Sequence, residues 1–300
     1  MDALLWPVFQ YNRYLLNKIP PIAANIILNK AETMNFLPGI FLAIHTFGRQ
    51  LPFNVHIHLS TTIAGLSLSD NLSSWSKNAF FHHLPLKRQW KFAIINLLRQ
   101  EFKKGNLCLP SHLNYLQTYS AFSSWLNYIY TKSEEWNVQL SKPSDDMKIN
   151  IDYLGKYLKR PPIGESRILA YDGTSVTFKF FDHHSKQYDI FTLPVLEFIA
   201  RLIRHIPDKN FKMIRYYGFL ANRVRSIYLP RVRSLLKIYY TITKKVFISW
   251  RQMIRDTFKY DPLRCPICNS IMTLTDIHLS PIIDILSLHK EIANGYFPLL

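Results

Sequence analysis

Cysteine is scarce in this chain: three in 300 residues, an odd number spread from Cys108 to Cys268. That excludes a disulfide framework and fits a reducing, cytoplasmic setting. Acidic residues are scarce too. Against 37 Lys and Arg stand 20 Asp and Glu, a net charge of +17. A polyanion, nucleic acid or an anionic membrane surface, therefore suits the chain better than a small-molecule substrate. Long apolar runs are missing: no stretch approaches the ~18 consecutive apolar residues of a membrane span. The opening Met1-Asp2-Ala3-Leu4-Leu5-Trp6-Pro7 lacks the basic start and apolar stretch of an export signal. What the chain does have is core-forming residues, 48% of the total, enough for one large domain or two small ones.

Between Leu37 and Thr62 two apolar runs, Ile40 to Ile44 and Phe53 to Leu59, are separated by a turn bracketed by Gly48 and Pro52. This predicts a hairpin. Alternation along a strand puts His56 and His58 on one face and Val55, Ile57 and Leu59 on the other. Two imidazoles on a rigid strand are half of a divalent metal site. Among eleven histidines a His-x-His also arises by chance, so its weight depends on partner motifs.

Upstream, Asp2 to Phe36 reads as short helical pieces broken by Pro7 and Pro20-Pro21. Downstream, Gly65 to Trp75 reads as a loop, and His82-His83 as surface polar residues rather than ligands. Lys87 to Lys104 predicts an amphipathic helix, with Trp90, Phe92, Ile94, Ile95, Leu97, Leu98 and Phe102 inward and a basic outer face. Tyr115 to Trp136 reads as a packed helical pair. Tyr153 and Tyr157, four apart, share a helix face beside Lys156, Lys159 and Arg160, and Pro161-Pro162 ends that helix. Such an arrangement presents two hydroxyl nucleophiles to a phosphate held by cations. Tyr115 and Tyr119 have the same spacing; the basic flank and the proline stop favour Tyr153 and Tyr157. Ser175 to Phe181 and Tyr188 to Leu193 read as strands expected to join the first hairpin's sheet, after which Pro194 opens a helix.

From Phe211 to Arg255 there are eleven Lys and Arg and no Asp or Glu. Tyr216, Tyr217, Tyr228, Tyr239, Tyr240 and Trp250 are interleaved, a composition suited to phosphates and stacked bases of single strands. The DNA-contact candidates are Lys156, Lys159, Arg160, Arg215, Arg223, Arg225, Arg231 and Arg233; a solvated basic helix with its aromatics in the core is the alternative. Cys265-Pro266-Ile267-Cys268 has zinc-knuckle spacing but supplies two of four ligands, with only Cys108 and distant histidines such as His278 left. An incomplete zinc turn, rather than a structural Zn²⁺ site, is the expectation.

His56-Ile57-His58 after Thr46-Phe47-Gly48, Tyr153-Leu154-Gly155-Lys156-Tyr157 followed by Arg160 to Arg167, and Glu197-Phe198 through Ile214-Arg215-Tyr216-Tyr217-Gly218 to Arg223 occur in that order. Together they resemble the IS91-type transposases, two-tyrosine members of the HUH endonuclease superfamily. The resemblance implies an α+β fold with a mainly antiparallel HUH-like sheet flanked by helices. Its expected organisation is a helical segment over 1–37, a catalytic domain over 38–210 and a basic helical C-terminal region over 211–300. It implies Mg²⁺ or Mn²⁺ held by His56, His58 and a third side chain. It also implies attack by Tyr153 or Tyr157 on single-stranded DNA through a 5′-phosphotyrosine, with transposon-end hairpins as partners and a nucleoid-associated location. Family members usually read His-Pro-His-x-His where this chain has Asn54-Val55-His56-Ile57-His58. Many begin with a cysteine-rich zinc domain that has no counterpart before Pro38, which implies an N-terminally shortened member. For the third ligand, a turn centred near Gln50 sets His45 across from His56, either as a ligand or as a hydrogen-bonded structural histidine. Two readings stay open on sequence: a metal-dependent tyrosine nuclease acting as a transposase, and a catalytically inactive DNA-binding remnant of one. A basic membrane-surface protein is disfavoured, since no free-standing Lys-rich amphipathic segment is present.

Overall fold

The structure is a computed structural model that describes residues 1–76, 80–132, 136, 138–141, 148, 155, 160–182, 185–238 and 248–275. Its helices and strands in chain order are α1 (Trp6–Tyr11), α2 (Ile19–Thr33), β1 (Phe36–Phe47), β2 (Phe53–Ser67), β3 (Trp75–Ser76), α3 (His83–Lys103) and α4 (Tyr119–Lys132). There follow β4 (Ile168–Tyr171), β5 (Ser175–Asp182), β6 (Gln187–Pro194), α5 (Val195–Ile203), β7 (Ile214–Gly218), α6 (Arg225–Leu235) and α7 (Trp250–Phe258). The fold is α+β, with antiparallel sheets flanked by helices. Two compact units divide it, one containing residues 1–237 and the other 238–285.

In the N-terminal segment of the first unit the prolines open helices rather than break them. Pro7 and the Pro20-Pro21 pair sit in the first turns of α1 and α2, where a missing N–H leaves no carbonyl unserved. Along α2 the buried residues Pro20, Ala24, Ile27 and Ala31 recur at helical spacing. The largest core joins Leu5, Val8, Phe9, Leu15, Leu16 and Ile19 to Ile44, Phe53 and Val55 of the hairpin and to Ile94, Leu98, Phe122 and Leu126 of α3 and α4. Each such side chain contributes roughly 1.5–3 kcal/mol by leaving water. Around α3 the sequence expectation needs one exchange: Phe92 lies outward at 56% exposure, while Lys91 is 6% exposed with its Nζ 4.8 Å from the Tyr130 ring centroid. The aliphatic stem of lysine fills the core face and the ring face receives the charge.

β1 is flanked by β2 on one side and β7 on the other, giving the order β3-β2-β1-β7. The strands are longer than the apolar runs alone indicate, and β2 continues through Gly65 to Ser67, where a loop is the sequence expectation. Residues 175–194 do not join this sheet, contrary to expectation; β4, β5 and β6 form a separate three-stranded sheet. Both sides of β1 are already paired, and Val176, Phe178 and Leu193 bury themselves against Leu51 of the hairpin turn and Phe198 of α5.

Two buried polar clusters fasten the N-terminal helices. Arg13 donates to Asp208 at 2.9 Å and to the carbonyls of Arg204 and Ile206 at 3.0 and 2.8 Å. Glu101, 1% exposed, accepts from Lys18 at 2.7 Å, Asn106 at 3.1 Å and Lys104 at 3.3 Å.

In the second unit α7 is capped by the Ser249 side chain, which accepts from the Gln252 N–H, and Arg251 makes a bidentate pair with Asp261 at 2.7 and 2.6 Å. The following Cys265–Cys268 turn is closed by the Cys265 N–H donating to the Ser270 carbonyl at 2.9 Å.

Gly218 has φ +62°, and a Cβ there would stand 1.7 Å from the Pro38 carbonyl oxygen. Gly218→Ala is expected to lose at least ~2 kcal/mol of stability, read from the urea unfolding midpoint. Burial pushes the Glu101 carboxyl up, but hydrogen bonds from Lys18, Asn106 and Lys104 outweigh it and hold it well below the usual carboxylate range. Its contribution is therefore complete above the unfolded value of about 4.3 and lost as pH falls through the lower folded value. Glu101→Gln is expected to flatten the acid-side fall in Tm below about pH 4.3 relative to the parent.

Candidate metal centre

The antiparallel register of β1 and β2 sets His45 opposite His56, Ala43 opposite His58 and Ile44 opposite Ile57. Period-two alternation then sends all three imidazoles to one face, while Ile44, Val55 and Ile57 go to the core. One ligand nitrogen from each histidine lies within 4.8 Å of the others. Ring centroids are 5.6 Å apart for His45 and His56, 4.9 Å for His45 and His58, and 5.0 Å for His56 and His58.

The chemistry of these donors fits a metal. His56 Nδ1 lies 2.8 Å from the Asn54 carbonyl. A carbonyl only accepts, so Nδ1 carries the proton and the Nε2 lone pair remains for a ligand. Burial, then the neighbouring His56, His45 and Arg160, push the His58 imidazole down to about 3. Burial also lowers His56, its bond to Asn54 opposing, and the charges of the N-terminus and Arg160 add to the lowering. Both rings are thus neutral and able to coordinate. His45 is 2% exposed and stacks on Phe47 with centroids 5.0 Å apart. Among the described residues this is the one group of three or more His, Cys, Asp or Glu arranged to hold an ion.

The turn beneath the site is tied from several sides. Arg201 donates to the Gln50 carbonyl at 2.9 Å, and Arg167 to the carbonyls of Arg49 at 2.6 Å and Lys179 at 2.8 Å. Arg49 donates to the Phe181 carbonyl. His205, buried, bridges the Thr46 hydroxyl and the Leu51 carbonyl at 3.2 Å each. Nothing in the residue pattern marked His205, which follows directly after α5 and its cap residue Arg204.

Tyr153, Tyr157, Lys156 and Lys159 lie outside the described residues, as do His278 and residues 239–247. Between the tyrosines, Gly155 has helical backbone and is exposed. Arg160, just beyond, is exposed, and its charge reaches His56, His58 and Arg167. The other basic candidates divide. Arg215 bonds to Asn17 and to the Lys212 carbonyl, on the face opposite the histidines. Arg231 donates to the carbonyls of Asn71 and Leu72 at 3.4 and 3.3 Å. Arg233 is half-buried, whereas Arg223 and Arg225 are exposed. Cys265 and Cys268 bring two thiols into one turn, and hydrogen bonds from Ser270 draw the Cys268 thiol down to about 7. Cys108, exposed in the first unit, is held through its backbone by Asn12. His82 and His83 are exposed. No helix among the described residues is long and apolar enough to cross a membrane.

The protein-family description "Putative transposase" matches residues 39–226, a span that contains the histidine hairpin, the second sheet and β7. Over 274 residues the chain is 37% identical to the transposase for insertion sequence element IS801 of Pseudomonas savastanoi pv. phaseolicola, covering 90% of this chain and 64% of that protein. It is 31% identical over 204 residues to the "Putative transposase y4qJ" of Sinorhizobium fredii (strain NBRC 101917 / NGR234), covering 66% of this chain and 50% of the relative. The chain thus spans between half and two thirds of the length of these relatives. No solved structure matches it at a significant level. On the family match and the extent of the identity, the chain belongs to the IS91-type transposases.

Proposed function

We propose that this chain is a transposase that cuts and rejoins single-stranded DNA at transposon ends, with His45, His56 and His58 holding a divalent ion and Tyr153 and Tyr157 as nucleophiles. The observation that carries the reading is the convergence of His45, His56 and His58 on one sheet face, with one ligand nitrogen of each within 4.8 Å of the others, in a member of a transposase family. An ion held there supplies Lewis-acid polarisation of a phosphoryl oxygen. Imidazole donors suit Mn²⁺ better than Mg²⁺, which prefers oxygen ligands.

The residues of the chain supply the rest. In each cleavage a tyrosine phenol loses its proton and its oxygen forms a bond to phosphorus. The bond from phosphorus to the 3′ oxygen breaks, and that oxygen leaves as a 3′-hydroxyl while the 5′ side stays on the enzyme. A second tyrosine lets a second strand be cut before the first is rejoined. Arg160, close after Tyr157 in the chain, favours phenolate over phenol and attracts the phosphate. Its electrostatic reach to His56 and His58 supports a phosphate held jointly by Arg160 and the ion. Net charge of +17 supports a polyanionic substrate.

Incubation with labelled single-stranded transposon-end oligonucleotides and Mn²⁺ is expected to give an SDS-stable protein–DNA adduct. The adduct should be reduced in Tyr153→Phe and Tyr157→Phe and abolished in the double variant. Retention of the adduct in the double variant would remove these tyrosines from the reaction, and its absence from the parent with every strand tried would leave a DNA-binding protein. In the absence of DNA, Mn²⁺ is expected to raise the Tm of the parent by several degrees, corresponding to roughly 2.7 kcal/mol at a hundredfold excess over Kd. His45→Ala and His58→Ala should lose that rise, and an unchanged rise in both would rule out the histidine site.

A further inference from the structure

The histidine face continues past the metal centre, and register identifies what lies on it. Phe41 is paired with Ser60 of β2 and with Tyr216 of β7. All three therefore share the face of His45, His56 and His58, with Phe41 one row from His58, about 7 Å along the strand and one strand over. The adjacent Tyr217 points the other way, packed against the core cluster of Ile40 and Phe36. Phe41 and Tyr216 meet edge to face, with ring centroids 5.6 Å apart at 61°, and both are half-buried. The guanidinium of Arg225, at the start of α6, stands 6.0 Å from the Tyr216 ring centroid. Arg225 is exposed and has no ion pair among the described residues, and the same holds for Arg223 close by. Beyond them the face closes, where Val232, Tyr228 and Leu235 of α6 pack on Leu37 and Leu66.

An aromatic pair, half-buried beside the candidate metal centre and edged by exposed arginines with no ion pair among the described residues, has the composition of a site for a nucleotide: a π-face for the base and a cation for its phosphate. We propose that Phe41 and Tyr216 form a base-stacking platform for the single strand whose neighbouring phosphate lies at the histidines, with Arg225 contacting that nucleotide's backbone. The inference rests on the single-strand reading above and adds the subsite that positions the strand. Duplex DNA keeps its bases in the stack and offers this platform nothing, so the site discriminates single from double strands.

The test is binding, not cleavage, so that its failure is separable from failure of the phosphotyrosine reading. Fluorescence anisotropy of a labelled single-stranded transposon-end oligonucleotide is measured with EDTA present. Tyr216→Ala and Tyr216→Leu are expected to weaken single-strand binding roughly tenfold or more, and Tyr216→Trp to retain it. Leucine keeps the packing against Phe41 without a π-face, so a purely structural role predicts that it rescues. Arg225→Ala is expected to lower the slope of log K against log salt by about one phosphate's worth. An abasic site at the contacted nucleotide should reproduce the loss and add nothing to Tyr216→Ala. Parent-like binding by Tyr216→Ala, rescue by Tyr216→Leu, or an equal loss for duplex DNA would each overturn the proposal. Parent-like melting of the variants establishes that they are folded.

Discussion

The pairing register of β1 with β2 is the constraint on which the site depends. With His45 opposite His56 and His58 two residues on, three imidazoles share one face. A slip by a single residue would send His56 and His58 into the apolar core and Val55 and Ile57 to the surface. That penalty fixes the register from the core side, through Ile44, Phe53, Val55 and Ile57. From the turn side, residues 49–51 each have a carbonyl engaged by Arg167, Arg201 or His205. The second sheet and α5 thus act on the centre indirectly, by holding the loop that sets the register.

An acid-poor chain has to place its arginines without enough carboxylates to pair them, and this one uses backbone carbonyls instead. Arg13 reaches those of Arg204 and Ile206, Arg167 those of Arg49 and Lys179, and Arg231 those of Asn71 and Leu72. Each such bond stabilises a loop whose polar groups would otherwise need water. The consequence is a division of labour within the positive charge. Part of the surplus is structural and local, while Arg160, Arg223 and Arg225 remain exposed, Arg160 within electrostatic reach of the histidines and Arg225 beside Tyr216. Counting basic residues in a segment does not separate these classes, because the separation depends on which carbonyls the fold brings near.

Much of this was readable before the fold was known. The hairpin, the turn near Gln50, the outward His56 and His58 and the inward Val55 and Ile57 all follow from alternation and two turn residues. So does the position of His45 opposite His56, once the turn is centred. The fold class was expected from the family resemblance, and the local strand and helix periods agree with it. What was not legible is what depends on partners distant in sequence. The second sheet stands apart, with Val176, Phe178 and Leu193 buried against Leu51 and Phe198, and the place beside β1 is taken by β7, a strand lying in a segment whose charge reads as helical tail. Lys91 enters the core because Tyr130 presents a ring to it. Tyr216 and Tyr217 look equivalent as letters, and only pairing with Phe41 and Ile40 assigns one to the histidine face and the other to the core.

The character of the third donor bears on how the proposed reaction works. A carboxylate in place of His45 would cancel part of the ion's charge and would itself repel a phosphodiester. A coordinating imidazole does neither, so a divalent ion on three histidines would keep its full charge for the substrate. Burial and mutual repulsion, which drive His58 down to about 3, keep the rings from being occupied by protons at neutral pH. With His56 and His58 lowered, protons compete weakly with an ion for their nitrogens. A centre of this type, with Arg160 and Arg225 at its margins, would concentrate positive potential at one point on a sheet. The aromatic pair beside it then has a function that charge cannot perform, holding one base so that one phosphate, among the many that the field attracts, is the one that reaches the histidines.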